Sequence, residues 1–241
     1  MAGDVLLARY GGPVEGLGRK SSVTDPVSDA DRAAEEAVRE LLAAERPEDG
    51  LVAEEGSRAE AASGRRWVVD PLDGTVNYLY GFPAWCVSVA LQDDDGSAVG
   101  VVHDPLRDEI FRATRGGGAE LNGKAVRVRE RDELAQALVA TGFGYERDRR
   151  VMQAEVVRRV LPEVRDIRRA GAAALDLAWL AGGRLDGFWE RGLNTWDWAA
   201  GRLLVEEAGG AVAELPGEPY GLVAANPALL PALAELVSVV P

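Results

Sequence analysis

Apolar and polar positions along this chain recur with two different periods, and the change from one to the other predicts its elements. Residues 2–10 read as a short helix ended by the turn Gly11-Gly12-Pro13. Residues 32–42 place apolar residues at helical spacing with acids at the start, as the helix dipole prefers, and Ser28 or Asp29 is the candidate N-cap. Residues 51–53 read as a short strand closing in the acidic turn Glu54-Glu55-Gly56, and residues 67–69 as a second, fully apolar strand. Residues 82–91, 98–103 and 109–114 are further strands, joined by Asp93-Asp94-Asp95-Gly96 and Asp104-Pro105-Leu106; Gly116-Gly117-Gly118 then turns into 119–123. The pattern is an antiparallel meander.

Beyond Arg131-Asp132-Glu133 the character changes. Strands at 138–141, 167, 185–189, 211–214 and 222–225 alternate with helices at 149–160, 171–180, 199–208 and 231–240. This predicts an α/β fold of two lobes, an α+β lobe over 1–135 and an α/β lobe over 136–241. No repeat or low-complexity run interrupts either lobe.

The chemistry concentrates at Trp67-Val68-Val69-Asp70-Pro71-Leu72-Asp73-Gly74-Thr75. Pro71 removes a ladder donor, so the strand is expected to stop at Asp70. With Pro71 fixing the turn and Gly74 permitting close backbone approach, Asp70, Asp73 and the Leu72 carbonyl can converge on one point. Two carboxylates that close need a neutralising cation, and oxygen ligands suit Mg²⁺. A short helix starting at Thr75 would turn free N–H groups toward a phosphate. Elsewhere the acids have plainer readings. The 93–95 aspartates lack calcium-loop spacing and serve the turn, and Asp31 reads as a helix cap. Asp197, between Trp196 and Trp198 and directly before the 199–208 helix, also reads as a cap.

Composition narrows the field. A formal charge of −13 argues against nucleic acid or an anionic membrane as partner, because the summed field repels phosphates at a distance. A phosphorylated small molecule then needs a local cation site. Cys86 is the single cysteine, which excludes an internal disulfide and points to a small core residue in a reducing compartment. The run at 5–8 is too short for a signal peptide or membrane span, so a cytoplasmic protein is expected. His103 is alone and reads as structural. The arginines at 147, 149, 150, 158, 159, 168 and 169 are interleaved with acids and read as a salt-bridged solvated face, a minority of them guiding an anionic substrate or pairing subunits.

Asp70-Pro71-Leu72-Asp73-Gly74-Thr75 resembles the fingerprint of the inositol monophosphatase family, D-P-[hydrophobic]-D-G-[TS] after a hydrophobic strand. Glu54-Glu55 and Trp196-Asp197-Trp198-Ala199-Ala200-Gly201 extend the resemblance over nearly the whole chain. It implies a layered αβαβα sandwich, as in inositol monophosphatase and fructose 1,6-bisphosphatase, and Mg²⁺-dependent hydrolysis of a phosphate monoester with two or three ions. By resemblance Glu54, Asp70, Leu72, Asp73 and Asp197 are metal ligands, with the choice between Glu54 and Glu55 open by one position. Thr75, Asp31 and Glu54 then act on the attacking water. Asp73, Gly74, Thr75, Gly171, Ala172, Ala173, Glu190 and Asp197 line the substrate site, with Ala172 lacking the hydroxyl usual in the family's G-[ST]-A segment. The substrate implied is inositol 1-phosphate or a similar polyol phosphate. Fructose 1,6-bisphosphate, histidinol phosphate and 3′-phosphoadenosine 5′-phosphate are rivals. The family is commonly a Li⁺-sensitive homodimer, and its bacterial extragenic suppressor branch also associates with the transcription and RNA machinery.

Overall fold

The computed structural model describes residues 1–12, 18–19 and 26–238. Pro13, Lys20-Ser21-Ser22, Asp25 and the last residues of the expected closing helix lie outside them. The first half contains α1 (Ala2–Leu7), β1 (Gly18–Arg19), β2 (Pro26–Val27), α2 (Asp29–Glu45), β3 (Gly50–Ala53), β4 (Arg58–Ala59), β5 (Arg66–Asp73), α3 (Thr75–Leu79), β6 (Cys86–Asp93), β7 (Gly96–Asp104), β8 (Glu109–Thr114), β9 (Gly118–Leu121) and β10 (Lys124–Ala125). The second contains β11 (Leu138–Thr141), α4 (Arg147–Val160), β12 (Asp166–Arg168), α5 (Ala173–Ala181), β13 (Gly187–Arg191), α6 (Thr195–Glu207), β14 (Ala211–Glu214), β15 (Gly221–Ala225) and α7 (Leu230–Ser238).

Two sheets carry these strands. The first has the order β10-β9-β8-β7-β6-β5-β3-β4, so β5 to β10 form the expected antiparallel meander, while β3 lies parallel to β5. The second has the order β12-β11-β13-β15-β14, with β11 parallel to β12 and β13, and β15 antiparallel to β13 and β14.

Each strand's period of two explains the layering. Val68 of β5 joins Val102, Phe111, Leu177, Leu204 and Phe188 in a core formed by α5 and α6 between the two sheets. Its neighbour Val69 points the other way, into a core with Leu6, Ala34 and Trp85 under α1 and α2. Outside the second sheet, Val156, Val160 and Leu233 of α4 and α7 cover Val139 and Val223. The result is the layered αβαβα sandwich. Small residues permit the central packing. A side chain at Gly100 would come within 2.9 Å of the Ala200 carbonyl, so α6 lies directly on β7.

Several boundaries differ from the sequence reading, and three of them bear on the site. β5 does not stop at Asp70 but runs to Asp73: Asp70 faces Ser88 and Asp73 faces Cys86, so the register shifts across Pro71. A bulge needs no donor there, which lets proline sit inside a strand. β6 begins only at Cys86, because residues 82–85 turn beneath α3. α6 begins at Thr195, with Asn194 as N-cap, so Asp197 lies inside the helix's first turn rather than before it.

Candidate active site

The bulge sets the site. Asp70 is 2% exposed, and its Oδ1 accepts the Leu72 N–H at 3.0 Å. Gly74 follows with φ +91°, where a Cβ would also lie 2.9 Å from the Ala84 carbonyl; the turn therefore requires glycine twice over. The turn presents the Thr75 hydroxyl to two acceptors, Asp31 Oδ1 at 3.0 Å and the Leu72 carbonyl at 3.1 Å. The other Asp31 oxygen accepts both the Ser28 N–H (2.9 Å) and its hydroxyl (2.6 Å). Asp31 is fully buried, so one carboxylate caps α2 and reaches the fingerprint threonine. The cap reading from spacing corresponds to the Oδ2 bonds with Ser28, and the second oxygen is left for Thr75.

Six carboxylates border one cavity of about 580 Å³, and four of them, Glu54, Asp70, Asp73 and Asp197, form its floor. Depressions of about 480, 500 and 620 Å³ elsewhere contain no buried acid. Glu54, not Glu55, faces the cavity. The turn that orients it is held by Glu35, whose buried carboxylate accepts the Glu55 N–H at 2.7 Å and the Ser57 N–H at 2.9 Å. Asp197 arrives from α6, which is pinned to the first sheet where the Ser88 and Ser97 hydroxyls donate to the Trp196 and Ala199 carbonyls. Its carboxylate accepts the Asn194 N–H at 2.6 Å.

The crowding shows in the acidities. Burial, followed by the charges of Glu54, Asp73 and Asp197, holds the Asp70 carboxyl well above the usual carboxylate range. Burial raises Asp73 to about 7, opposed by the backbone N–H of Ala174 and reinforced by Glu54. Asp197 is raised well above its ordinary value by burial, Glu54 and Asp73. Among the described residues, no three acidic, histidine or cysteine side chains form a finished metal cage. The carboxylates instead partly satisfy themselves: Asp70 shares a hydrogen bond with Glu54, and Asp73 Oδ2 accepts the Ala174 N–H at 2.7 Å. This set of crowded carboxylate oxygens has the donor chemistry that suits a hard divalent cation.

The opposite wall comes from the second sheet. Glu190 stands near the end of β13, raised to about 8 by burial and by the charge of Asp73, with Arg169 opposing. Gly171 and Ala173 border the cavity. Ala172 does not: it is 1% exposed, packed in the central core, so the absent hydroxyl removes no contact that its neighbours make from the rim. Asn77 ties this wall to the floor, its amide donating to the Ala84, Ala170 and Gly171 carbonyls at 2.6, 2.9 and 3.4 Å.

The arginine stretch divides. Arg158 and Arg168 pair with nearby acids on the surface, as a solvated face does. Arg149 and Arg169 border the cavity instead, Arg169 lying over the Phe143 ring at 5.7 Å. Elsewhere, His103 is half-buried beneath Gly3 of α1, and Cys86 is a fully buried core residue whose thiol donates weakly to Asp73 at 3.7 Å.

Sequence reading did not single out Glu35, Asn77 or the Gly142-Phe143-Gly144 segment. Glu35 carried a signal, since it lies four residues from Asp31 on the same helical face and is buried like it. Asn77 had only its place in α3, and the glycines had only their spacing. No described helix is long and apolar enough to cross a membrane.

Comparison with known proteins agrees with this geometry. The model of the inositol monophosphatase family matches residues 1–239. An inositol-1-monophosphatase of Rhizobium meliloti is 44% identical over 239 residues, covering 96% of this chain and 90% of the relative. A Nus factor SuhB of Xylella fastidiosa is 45% identical over 218 residues, covering 90% and 78%. The crystal structure of the extragenic suppressor protein suhB from Bartonella henselae superposes with a TM-score of 0.92 at 38% identity, covering 98% of this chain and 93% of that one.

Proposed function

This chain belongs to the inositol monophosphatase family and is a phosphatase, and from that premise we propose that it is a Mg²⁺-dependent inositol 1-phosphate phosphatase of broad polyol-phosphate range. The observation that carries the reading is the convergence of Glu54, Asp70, Asp73 and Asp197 on one cavity, where burial and the charges of Glu54, Asp73 and Asp197 hold the Asp70 carboxyl above its ordinary range. The family is metal-dependent, and the donor set fits two or three Mg²⁺ ions. Glu54, Asp70 and the Leu72 carbonyl would hold one, Asp70, Asp73 and Asp197 a second, and Glu54 would lie beside a weaker third. When bound, such ions neutralise the phosphate and stabilise charge on the leaving oxygen.

The chain's own residues do the positioning. Thr75, oriented by Asp31, places the attacking water in line with the ester bond; the N–H groups around Gly74 and Thr75 face the phosphate. Glu190, with Gly171 and Ala173, faces the alcohol and accepts hydrogen bonds from its hydroxyls. The floor belongs to the lobe at 1–135, and Asp197 and the wall to the lobe at 136–241, so loading the site joins them. The reading includes Li⁺ inhibition, a homodimer and a cytoplasmic location.

The competing reading, favoured by the name of the Xylella fastidiosa relative, is a non-catalytic factor of the transcription machinery. Four mutually strained carboxylates favour catalysis, since a binding surface has no use for them. Phosphate release across a panel of esters tests both: the proposal expects turnover of inositol 1-phosphate above fructose 1,6-bisphosphate, histidinol phosphate and 3′-phosphoadenosine 5′-phosphate. High activity on one of those rivals alone reassigns the substrate. Inactivity on all, with capture of transcription proteins from the native cell, supports the competing reading.

A further inference from the structure

The wall of the cavity is built on positions that carry no side chain. β11 and β13 run parallel in the register Val139 with Gly187, Ala140 with Phe188 and Thr141 with Trp189. One residue further along, that register sets Gly142 beside Glu190. A Cβ at Gly142 would overlap both carboxylate oxygens of Glu190 and its Cδ. The acid thus rests directly on the bare backbone of Gly142. Gly142 is not among the glycines with left-handed backbone, so the demand for glycine there is not a positive φ; the three atoms nearest to its missing Cβ all belong to the Glu190 carboxyl group. The same arrangement recurs two residues on, where the Arg149 side chain occupies the space that Cβ atoms at Gly144 and Gly192 would fill.

We infer that Gly142 is the specificity-determining position of this cavity, a positioning residue that acts through Glu190 by seating its carboxylate where hydroxyls of the leaving alcohol are read. The inference rests on the reading of Glu190 as the acceptor of those hydroxyls. The atoms a methyl group at 142 meets most closely are the end of one side chain, so the fold tolerates it while the acid swings off its seat. Leaving groups without hydroxyls do not sense the displacement; polyols do. Gly142 therefore sets how strongly the enzyme separates a polyol phosphate from a generic ester.

Steady-state kinetics on inositol 1-phosphate and p-nitrophenyl phosphate, for Gly142→Ala, Glu190→Ala and the double variant, test this. Gly142→Ala is expected to raise the ratio of the two KM values, inositol 1-phosphate over p-nitrophenyl phosphate, by about tenfold, with kcat changing far less, as for loss of a substrate hydrogen bond. Because the effect passes through the acid, adding Gly142→Ala to Glu190→Ala should move the ratio no further. An unchanged ratio in Gly142→Ala, where Glu190→Ala alone raises it, overturns the inference and leaves the Glu190 reading intact. No selective effect of Glu190→Ala overturns both. Additive effects in the double variant overturn the route through Glu190. Should Gly142→Ala lose turnover on both esters, recovery of p-nitrophenyl phosphate turnover in the double variant upholds the seat, and continued loss overturns it.

Discussion

The floor and the wall of this cavity are built on opposite principles. On the floor, each acid is held by backbone N–H groups at close range: Asp31 by Ser28, Asp70 by Leu72 and Asp197 by Asn194 within three residues, Asp73 by Ala174 of the other lobe, and Glu54 through the turn that Glu35 holds. Position follows largely from a bulge and a left-handed glycine within a few residues of one another, which the cap of α2 meets through the Thr75 hydroxyl. The wall has no such local logic. Glu190, Arg149 and Arg169 are long side chains laid over glycines and a phenyl ring from other segments. The contrast teaches that a site reading a small invariant group can be locally encoded, whereas a site reading the rest of the substrate depends on pairing across the fold.

Breaking the floor should cost most. Asp70→Asn removes one charge from the acid that faces Glu54, Asp73 and Asp197. Mg²⁺-dependent phosphate release should fall by roughly 10³-fold or more, since metal charge stabilisation is worth several kcal/mol, while circular dichroism shows the fold retained. Near-native turnover would sink the model of shared ions. Thr75→Ala, next in size, should lower kcat by about 10²-fold, the scale of positioned proton transfer. Mg²⁺ affinity should barely change; a loss confined to KM would reduce Thr75 to a phosphate contact.

These two positions are also where the sequence was most legible. Asp70 to Thr75 fall within one turn, so residue types and spacing carry their geometry, whereas Asp197 and Glu54, a cap and an acidic turn by pattern, were singled out only by resemblance. The strand's continuation through Pro71 was not legible, because proline forbids a donor but does not say whether the partner needs one. The apolar alternation of β5 to β9 and the helices of the second lobe were readable from period alone. Ala172 was misplaced because a one-residue shift at a helix start decides between rim and core. Which of the interleaved arginines form the minority at the cavity was not legible, because such charges look alike whether they border solvent or a cavity; the structure puts Arg149 and Arg169 there.

The bond between floor and wall can be weakened alone. Asn77→Asp keeps shape and removes the donors to Ala84, Ala170 and Gly171. Unfavourable juxtaposition of a carboxylate with these carbonyls should cost about 1–3 kcal/mol of stability, read in urea unfolding. An unchanged midpoint would mean the amide is not the tie between them.

The smallest expected effect is on pH. Asp73, raised to about 7 in the fold, binds its proton more tightly there than in the unfolded chain. The folded state thus holds the extra proton between the ordinary carboxylate range and pH 7, and stability falls as pH rises through that window. The Tm of protein in excess chelator should decline by a few degrees from pH 5 to pH 8, on the per-kcal scale for a chain of this size, and Asp73→Asn should flatten the decline. A Tm that climbs over this range contradicts the raised Asp73 pKa.

The claim on which floor and wall both depend is that the four carboxylates work by holding divalent cations. Phosphate release from inositol 1-phosphate, measured against Mg²⁺ concentration in protein stripped with chelator, tests it most directly. The account predicts no release without the metal, a saturable rise as Mg²⁺ is restored, and competition by Li⁺ at fixed Mg²⁺. Release that persists undiminished in excess chelator would contradict it.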